Sequence, residues 1–237
     1  MPATAPDVWV PGPLRPLLAD GAVHVWRADL TAVAQELEEL LCEEERARAG
    51  RMVNARDGAL WSRSRGLLRA LLGRYVQRDP RSLRFTAGEH GKPALVHDAD
   101  ESPARAPSSR SPELSFNMSH SGQLALYAFS AGGAVGVDLE GARRPIDEVA
   151  IAARALGAAE ARRLQALDPA TRRREFLRAW ARHEAELKCL GVGIGGARAE
   201  AGGRGLWMAE LELGPGVAAA VAAERPAREL RCWDWRG

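Results

Sequence analysis

The chain has 237 residues, of which 46% are hydrophobic and 27% are charged, and its formal net charge is +2. This composition is typical of an ordinary globular protein and excludes a disordered chain or a strongly basic tail. No apolar stretch approaches the roughly 18 residues of a membrane helix, and the N-terminal residues do not resemble a signal peptide. We therefore expect a cytoplasmic protein with no membrane partner.

The cysteines and lysines restrict the kinds of functional site that the chain can form. Cys42, Cys189 and Cys232 are odd in number and far apart, which excludes a disulfide framework and a CxxC metal site. Among 33 basic residues only Lys92 and Lys188 are lysines, and the rest are arginines. A lysine in such a chain indicates a position that needs a compact, tunable ammonium group. Both lysines are therefore candidate functional residues.

The first half of the chain is predicted to contain a strand, two helices and several short strands. A proline-rich arm at 1–16 precedes an alternating strand at 22–27. Helical spacing of apolar residues predicts a helix over 31–49, and a second helix follows the N-cap candidate Asp57 and ends before Pro80. The remaining predicted elements are strands at 83–87, 94–96, 114–118 and 123–129 and a surface loop at 97–113.

The second half repeats this order of strand, helices and strands. Its predicted elements are a strand at 134–140, helices at 146–167 and 172–190, a hairpin around 214–216 and a last strand at 228–235. Gly191 is a natural stop for the long helix. We therefore expect an α+β (mixed α/β) fold of two similar halves, with a boundary near residues 132–133.

Two carboxylates are predicted to lie side by side on the strand at 134–140. A period of two puts Asp138 and Glu140 on one face and the valines on the other. On its own, such a pattern is typical of a solvated strand edge, because acidic residues are mostly exposed.

The long helix that follows changes this interpretation. Trp180, Glu184 and Lys188 recur every four residues and share one helix face. In isolation, Glu184 and Lys188 would be an ordinary exposed ion pair. A third carboxylate near the two strand carboxylates would, however, complete a set of oxygen ligands suited to Mg²⁺. The combination indicates phosphoryl chemistry.

Two short polar motifs and one basic segment are compatible with an anionic ligand. The first motif consists of Ser119, His120 and Ser121, which are predicted to lie between two strands and to form an anion site or a polar turn. The second motif, GKP, predicts a turn in which the Lys92 side chain extends into solvent as a point charge. Residues 46–84 contain 11 arginines and two aspartates, a local charge of +9. Such a run is usually a solvated helix face. Because no nucleic-acid-binding motif accompanies it, a discrete phosphate-bearing ligand is favoured over nucleic acid.

Taken in order, four segments resemble the ordered motifs of the Sfp-type 4′-phosphopantetheinyl transferases: GKP at 91–93, FNMSHSG at 116–122, VGVDLE at 135–140 and FLRAWARHEAELKCLG at 176–191. The resemblance covers the chain from about residue 22 to its end. It implies a fold of two halves related by a pseudo-twofold axis, residues 1–132 and 133–237, with the active site between them.

The resemblance also implies an activity. Such enzymes, also called holo-[acyl-carrier-protein] synthases, transfer 4′-phosphopantetheine from coenzyme A to a serine of an apo acyl or peptidyl carrier protein. The reaction releases adenosine 3′,5′-bisphosphate and requires Mg²⁺, for which Mn²⁺ can substitute. Implied pathways are fatty acid, polyketide and nonribosomal peptide biosynthesis. Because one chain holds both halves, we expect a monomer, and because no nucleic-acid-binding motif is present, we expect no nucleic-acid partner.

Carried over residue by residue, the resemblance assigns roles. Asp138, Glu140 and Glu184 resemble the metal ligands. Glu184 and Lys188 are similar to the catalytic residues, the glutamate as the base toward the carrier serine and the lysine at the reacting phosphate. Residues implied in coenzyme A binding are Arg48, Arg51, Lys92, Ser119, His120, Asp138 and Lys188. The two arginines are implied at the 3′-phosphate, as are Ser119 and His120, and Glu160 resembles a family glutamate beyond the metal site.

Two departures from the family pattern leave alternatives open. His183 stands where the motif has a lysine, and Leu60 and Trp61 replace polar residues in the second helix. A non-catalytic coenzyme A-binding protein is therefore one alternative to the enzyme. A nucleic-acid-binding protein that uses the +9 segment is the other, and its binding would weaken steeply with salt.

The histidine leads to a prediction about pH. A histidine beside a pyrophosphate is charged only if its pKa lies above the ordinary value of about 6.5. We therefore expect His183→Lys to raise turnover and to reduce the decline in rate above neutral pH. Rate measurements over a pH series for both forms check this, and an unchanged rate and profile would contradict it.

Overall fold

The computed structural model describes residues 3–4, 9–87, 91–96, 114–141, 146–192 and 205–237. Its strands are β1 Ala3–Thr4, β2 Val10–Pro11, β3 Ala22–Asp29, β4 Phe85–Ala87, β5 Pro93–Leu95, β6 Leu114–Ser121, β7 Leu124–Ala131, β8 Val135–Gly141, β9 Trp207–Glu210, β10 Val217–Ala223 and β11 Glu229–Asp234. Its helices are α1 Glu43–Gly50, α2 Ala55–Val76, α3 Glu148–Ala155, α4 Ala158–Gln165 and α5 Pro169–Leu190, with 3₁₀ turns at Gln35–Leu40 and Pro80–Ser82. The predicted α+β class is confirmed.

Two sheets pack face to face, and each carries helices on its outer face. The first has the strand order β2-β11-β3-β7-β6 and the second has the order β1-β9-β10-β8, while β4 and β5 form a separate hairpin. Alternate residues of β3 and β7 pack either against the second sheet or against α2. Likewise, one face of β10 packs against the first sheet and the other against α5. The described helices include none long and apolar enough to cross a membrane.

Each end of the chain contributes a strand to the sheet of the other half. β11 pairs in parallel with β3, so the last strand completes the first sheet. β1, near the start of the chain, pairs in parallel with β9 of the second sheet. The boundary near residues 132–133 falls between β7 and β8 and stays a prediction.

The prediction of one continuous helix over 31–49 was wrong. This segment is divided into the 3₁₀ turn and α1, because Leu41 is extended between them. The Glu45 carboxylate accepts a hydrogen bond from the Cys42 main-chain N–H at 3.0 Å and pairs with Arg69 of α2 at 2.7 Å. Glu45 therefore fixes the start of α1 against α2, and the chain changes direction there.

The second and third predicted helices begin and end close to the expected positions. α2 begins two residues before the predicted cap, since Asn54 Oδ1 accepts from the Arg56 N–H at 2.9 Å. It ends at Val76, followed by Gln77 in the left-handed conformation. The region predicted as helical at 146–167 is α3 and α4, separated at Gly157, which has a φ of 96°.

A buried histidine makes the stability of the fold depend on pH. His24 lies in β3 and is only 2% exposed, and burial lowers its pKa to about 4. Because an indole can only donate, the Tyr75 hydroxyl accepts from Trp26 Nε1, and the same hydroxyl forms a hydrogen bond of 2.9 Å with His24 Nδ1. The folded protein therefore holds the neutral imidazole.

This arrangement predicts an acid-sensitive fold. Between pH 6.5 and about 4 the unfolded chain binds a proton at His24 that the folded chain does not, so stability falls as the pH falls through this window. We expect the loss at pH 4 to be about 3 kcal/mol. Denaturant unfolding over a pH series should show a smaller pH dependence in His24→Gln than in the wild type. Equal pH dependence in His24→Gln and the wild type would contradict this assignment.

Candidate active site

The edges of the two sheets meet where β6 lies beside β8. The Asn117 Oδ1 atom accepts from the Val137 N–H at 3.0 Å, and the Ser121 hydroxyl accepts from the Gly141 N–H at 3.2 Å. Side chains of β6 therefore bond to the main chain of β8. The residue between them on β6 is Ser119, which faces Asp138.

The expectation that Ser119, His120 and Ser121 lie between two strands was wrong. They are the last three residues of β6, and the turn consists of Gly122 and Gln123, with Gly122 at a φ of 64°. Strand alternation explains this difference, because Ser119 and Ser121 both bond to β8 while His120 is exposed.

The strand face predicted for β8 is confirmed. Its valines and Leu139 lie in the core between the sheets, whereas Gly136 faces α5. A Cβ atom at Gly136 would overlap the Ala185 carbonyl oxygen and the Cys189 main-chain nitrogen. Only glycine therefore allows α5 to approach close enough for its side chains to reach Asp138.

The helix α5 is fixed at both ends. The Asp168 carboxylate accepts from the Ala170 and Thr171 N–H groups at 3.1 Å, which caps the N-terminus. Gly191 ends the helix with a φ of 72°, as predicted from the sequence. Between these ends, Glu184 is buried and Lys188 is half-buried on the face toward β8.

A lysine, an aspartate and a serine form a closed hydrogen-bonded group, here called the Lys-Asp-Ser group (Lys188, Asp138 and Ser119). Lys188 Nζ lies 2.6 Å from Asp138 Oδ1 and 3.0 Å from Ser119 Oγ. The Ser119 hydroxyl donates to the same Asp138 oxygen at 2.8 Å. Asp138 is 3% exposed, so its charge is compensated by Lys188 rather than by water.

Two neighbouring carboxylate oxygens are left without a partner. Among the described residues, Asp138 Oδ2 and Glu184 Oε1 are buried and accept no hydrogen bond. Burial raises the pKa of Glu184, and the charge of Asp138 raises it further. Burial and Asp138 likewise raise the pKa of Glu140, against the opposing effects of Lys188 and of a hydrogen bond from Trp180. The three carboxylates therefore repel one another in a site with little water.

This donor set fits a magnesium ion that is shared with a phosphate ligand. Within the described ranges, no three carboxylate, imidazole or thiol side chains already surround one point as a metal cage. Mg²⁺ usually binds through one or two carboxylates together with substrate phosphates and water, so it does not require such a cage. The unpartnered oxygens of Asp138 and Glu184 are suitable ligands of that kind.

The prediction that the Lys92 side chain extends into solvent as a point charge was wrong. The ammonium of Lys92 donates to the main-chain carbonyls of Val135 at 2.9 Å, Lys188 at 2.7 Å and Cys189 at 3.4 Å. Burial lowers its pKa. The side chain therefore connects the β4–β5 hairpin region with β8 and with the end of α5.

The structure places the remaining predicted residues on helices and on an exposed strand position. Arg48 and Arg51 are exposed at the end of α1, where the Arg48 guanidinium lies 5.4 Å from the ring centre of Trp61. Glu160 of α4 pairs with Arg163 at 2.7 Å, and this hydrogen bond lowers the pKa of the glutamate. The roles of these residues, and of His120, stay predictions.

One residue at the site, Asn117, was not identified from the sequence. Asn117 and Ser121 join β6 to β8, and both lie two positions from Ser119. The polar alternation at 117, 119 and 121 was the signal that could have revealed Asn117, because polar residues on one strand face indicate a surface that bonds to something other than the core.

The fold and the site define a two-sheet α+β protein with a lysine-carboxylate centre between its sheets, suited to a cation and a phosphate-bearing ligand. Family models match both parts of the chain: residues 134–216 match the 4′-phosphopantetheinyl transferase superfamily, and residues 25–131 match the 4′-phosphopantetheinyl transferase N-terminal family. The chain belongs to the 4′-phosphopantetheinyl transferase superfamily and is thus a transferase enzyme.

Two curated relatives support this assignment. The chain is 33% identical over 189 residues to the 4′-phosphopantetheinyl transferase HetI of Nostoc sp., an alignment that covers 78% of this chain and 76% of the relative. It is 34% identical over 157 residues to a Synechocystis sp. protein named for the same activity. That alignment covers 66% of this chain and 59% of the relative.

Proposed function

We propose that this enzyme transfers 4′-phosphopantetheine from coenzyme A to a serine of an apo acyl or peptidyl carrier protein. The observation that carries the proposal is the Lys-Asp-Ser group beside two buried, unpartnered carboxylate oxygens. Such a site provides positive charge for a phosphate and oxygen ligands for a cation. The proposal includes a cytoplasmic monomer that serves fatty acid, polyketide or nonribosomal peptide synthesis.

The carboxylates are proposed to hold Mg²⁺, with Mn²⁺ as a substitute. Asp138 Oδ2 and Glu184 Oε1 would be ligands, together with Glu140, whose pKa is raised by burial and by Asp138. When bound, the ion neutralises charge on the pyrophosphate oxygens of coenzyme A during transfer. The carboxylates would hold the ion, and Lys188 is the protein's own positive charge beside them.

The bond changes define roles for Glu184 and Lys188. The carrier serine oxygen forms a bond to the β-phosphorus of coenzyme A, and the bond from that phosphorus to the bridging oxygen breaks, which releases adenosine 3′,5′-bisphosphate. Glu184 accepts the serine proton, directly or through a water, as a general base.

The Lys188 ammonium has three donors, and two of them bond to Asp138 and Ser119. The third donor is proposed to bond to the departing phosphate, where the ammonium charge stabilises the negative charge that develops.

Coenzyme A binding is proposed to use residues from both halves. Asp138 and Lys188 of the second half would act at the pyrophosphate, whereas Ser119 and His120 of the first half would bind the phosphates, with Arg48 and Arg51 at the 3′-phosphate. Support for this comes from the positions of Ser119 in the Lys-Asp-Ser group and of the two exposed arginines, whose charges attract phosphate. The contacts of Lys92 support a different role, described in the next subsection.

The experiment is incubation with coenzyme A, Mg²⁺ and an apo carrier protein, followed by mass spectrometry of the intact carrier and chromatography of the nucleotide product. We expect one phosphopantetheine on the carrier and an equal amount of adenosine 3′,5′-bisphosphate. Chelation of the metal and replacement of the carrier serine by alanine should each abolish both products. If a known transferase modifies the same carrier and this enzyme does not, the proposal is contradicted and the non-catalytic binding protein is favoured.

A further inference from the structure

The second of the two lysines, Lys92, lies against the last turn of α5. Its three hydrogen bonds go to carbonyls on two different elements: Val135 at the start of β8, and Lys188 and Cys189 at the end of α5. An ammonium has three donors, so these contacts match its full capacity. The side chain is half-buried, which limits the access of water to these contacts.

These acceptors are groups that need a partner. The last carbonyls of a helix have no hydrogen-bond partner within the helix, and the helix dipole places partial negative charge there. Lys92 provides both a donor and a positive charge at that position. It therefore fixes the end of α5 to the beginning of β8.

The same two elements carry the catalytic group. The carbonyl of Lys188 bonds to Lys92, while the side chain of Lys188 bonds to Asp138 at 2.6 Å. Asp138 lies three residues after Val135 on β8. A displacement of the last turn of α5 relative to β8 would therefore change the distance between Lys188 and Asp138 directly.

We propose that Lys92 is a positioning residue that holds Lys188 against Asp138, and that it is not a phosphate ligand. This inference rests on the proposed transferase function for its kinetic consequences, although the contacts themselves do not depend on it. Misplacement of a reacting group by about 1 Å can cost about 100-fold in rate. The effect of Lys92 should accordingly be on the chemical step and not on coenzyme A binding.

The test compares Lys92→Met with Lys92→Gln and with the control Arg172→Met. Arg172 is also a long cationic side chain bonded to three carbonyls, those of Leu164, Gln165 and Leu167, but it lies at the first turn of α5, away from the Lys-Asp-Ser group. The Arg172→Met substitution therefore removes a cation that caps helix carbonyls, as Lys92→Met does, but without the proposed effect on Lys188.

We expect Lys92→Met to lower kcat about 10- to 100-fold while the KM for coenzyme A changes less than about twofold. Lys92→Gln, whose amide donates hydrogen bonds without charge, should recover part of kcat, and Arg172→Met should keep the wild-type kcat. A raised KM with unchanged kcat in Lys92→Met or Lys92→Gln would overturn the proposal in favour of a phosphate contact. Wild-type kcat and KM in Lys92→Met would also overturn it.

A second readout does not require catalysis. Hydrogen exchange of the amides at 189–192 should be faster in Lys92→Met than in the wild type and unchanged in Arg172→Met, because Lys92 bonds to carbonyls of the last turn of α5 whereas Arg172 bonds to carbonyls at the end of α4 and just after it. Unchanged exchange in Lys92→Met would overturn the inference. If the wild type transfers nothing while this exchange difference is seen, the proposed function fails and the positioning contact stands. If Lys92→Met does not fold, Lys92→Gln provides the same readouts.

Discussion

Asp138→Asn is expected to lower phosphopantetheine transfer about 1000-fold with little change in the fold. The substitution removes the negative charge that Lys188 and Ser119 surround and weakens one of the two unpartnered oxygens as a cation ligand. Because asparagine has nearly the same shape, packing around β8 is retained. Steady-state rates with coenzyme A and an apo carrier protein, measured beside thermal unfolding, check this expectation.

The matched control is Asp147→Asn. Asp147 is exposed and caps α3 by accepting from the Ala150 N–H at 2.9 Å, a role that asparagine also fills. Its rate should equal that of the wild type. A rate for Asp138→Asn within a few-fold of the control would show that the Lys-Asp-Ser group is not the catalytic centre.

The second large effect is expected from Gly136→Ala. The added methyl group would overlap main-chain atoms of Ala185 and Cys189, and main chain cannot rotate away as a side chain can. We expect the free energy of unfolding to fall by about 3 kcal/mol. We also expect transfer activity to be lost, because α5 must move away from β8 together with Glu184 and Lys188. Urea unfolding and steady-state rates measure both effects.

Gly133→Ala is the control for this substitution. A Cβ atom at Gly133 would come no closer than 3.6 Å to Glu224 and Arg225, which is ordinary van der Waals contact. Its stability and rate should be close to those of the wild type. Equal behaviour of the two alanine variants would mean that the close approach of α5 to β8 is not required.

Periodic patterns predicted the parts of the site that lie within regular elements. The alternation in β8 placed Asp138 opposite the buried valines, and the four-residue spacing in α5 placed Glu184 and Lys188 on one face. These predictions succeeded because both elements are buried, so the hydrophobic pattern determines which way each residue faces.

Other features depend on contacts between residues distant in sequence, which a local pattern does not contain. The contacts of Lys92 join residues that are 43 to 97 positions apart. The break between the 3₁₀ turn and α1 depends on Glu45, which pairs with Arg69 of α2. Similarly, the pairing of β11 with β3 joins opposite ends of the chain, and strand spacing alone does not specify a partner.

The most direct test of the central claim is calorimetric titration of coenzyme A into the wild type and into Asp138→Asn, each with Mg²⁺ and with a chelator. If the carboxylates and Lys188 form the pyrophosphate and metal site, the wild type should bind coenzyme A more tightly with Mg²⁺ than with the chelator. Asp138→Asn should lose that difference. Equal affinity in all four titrations would contradict the assignment of this site.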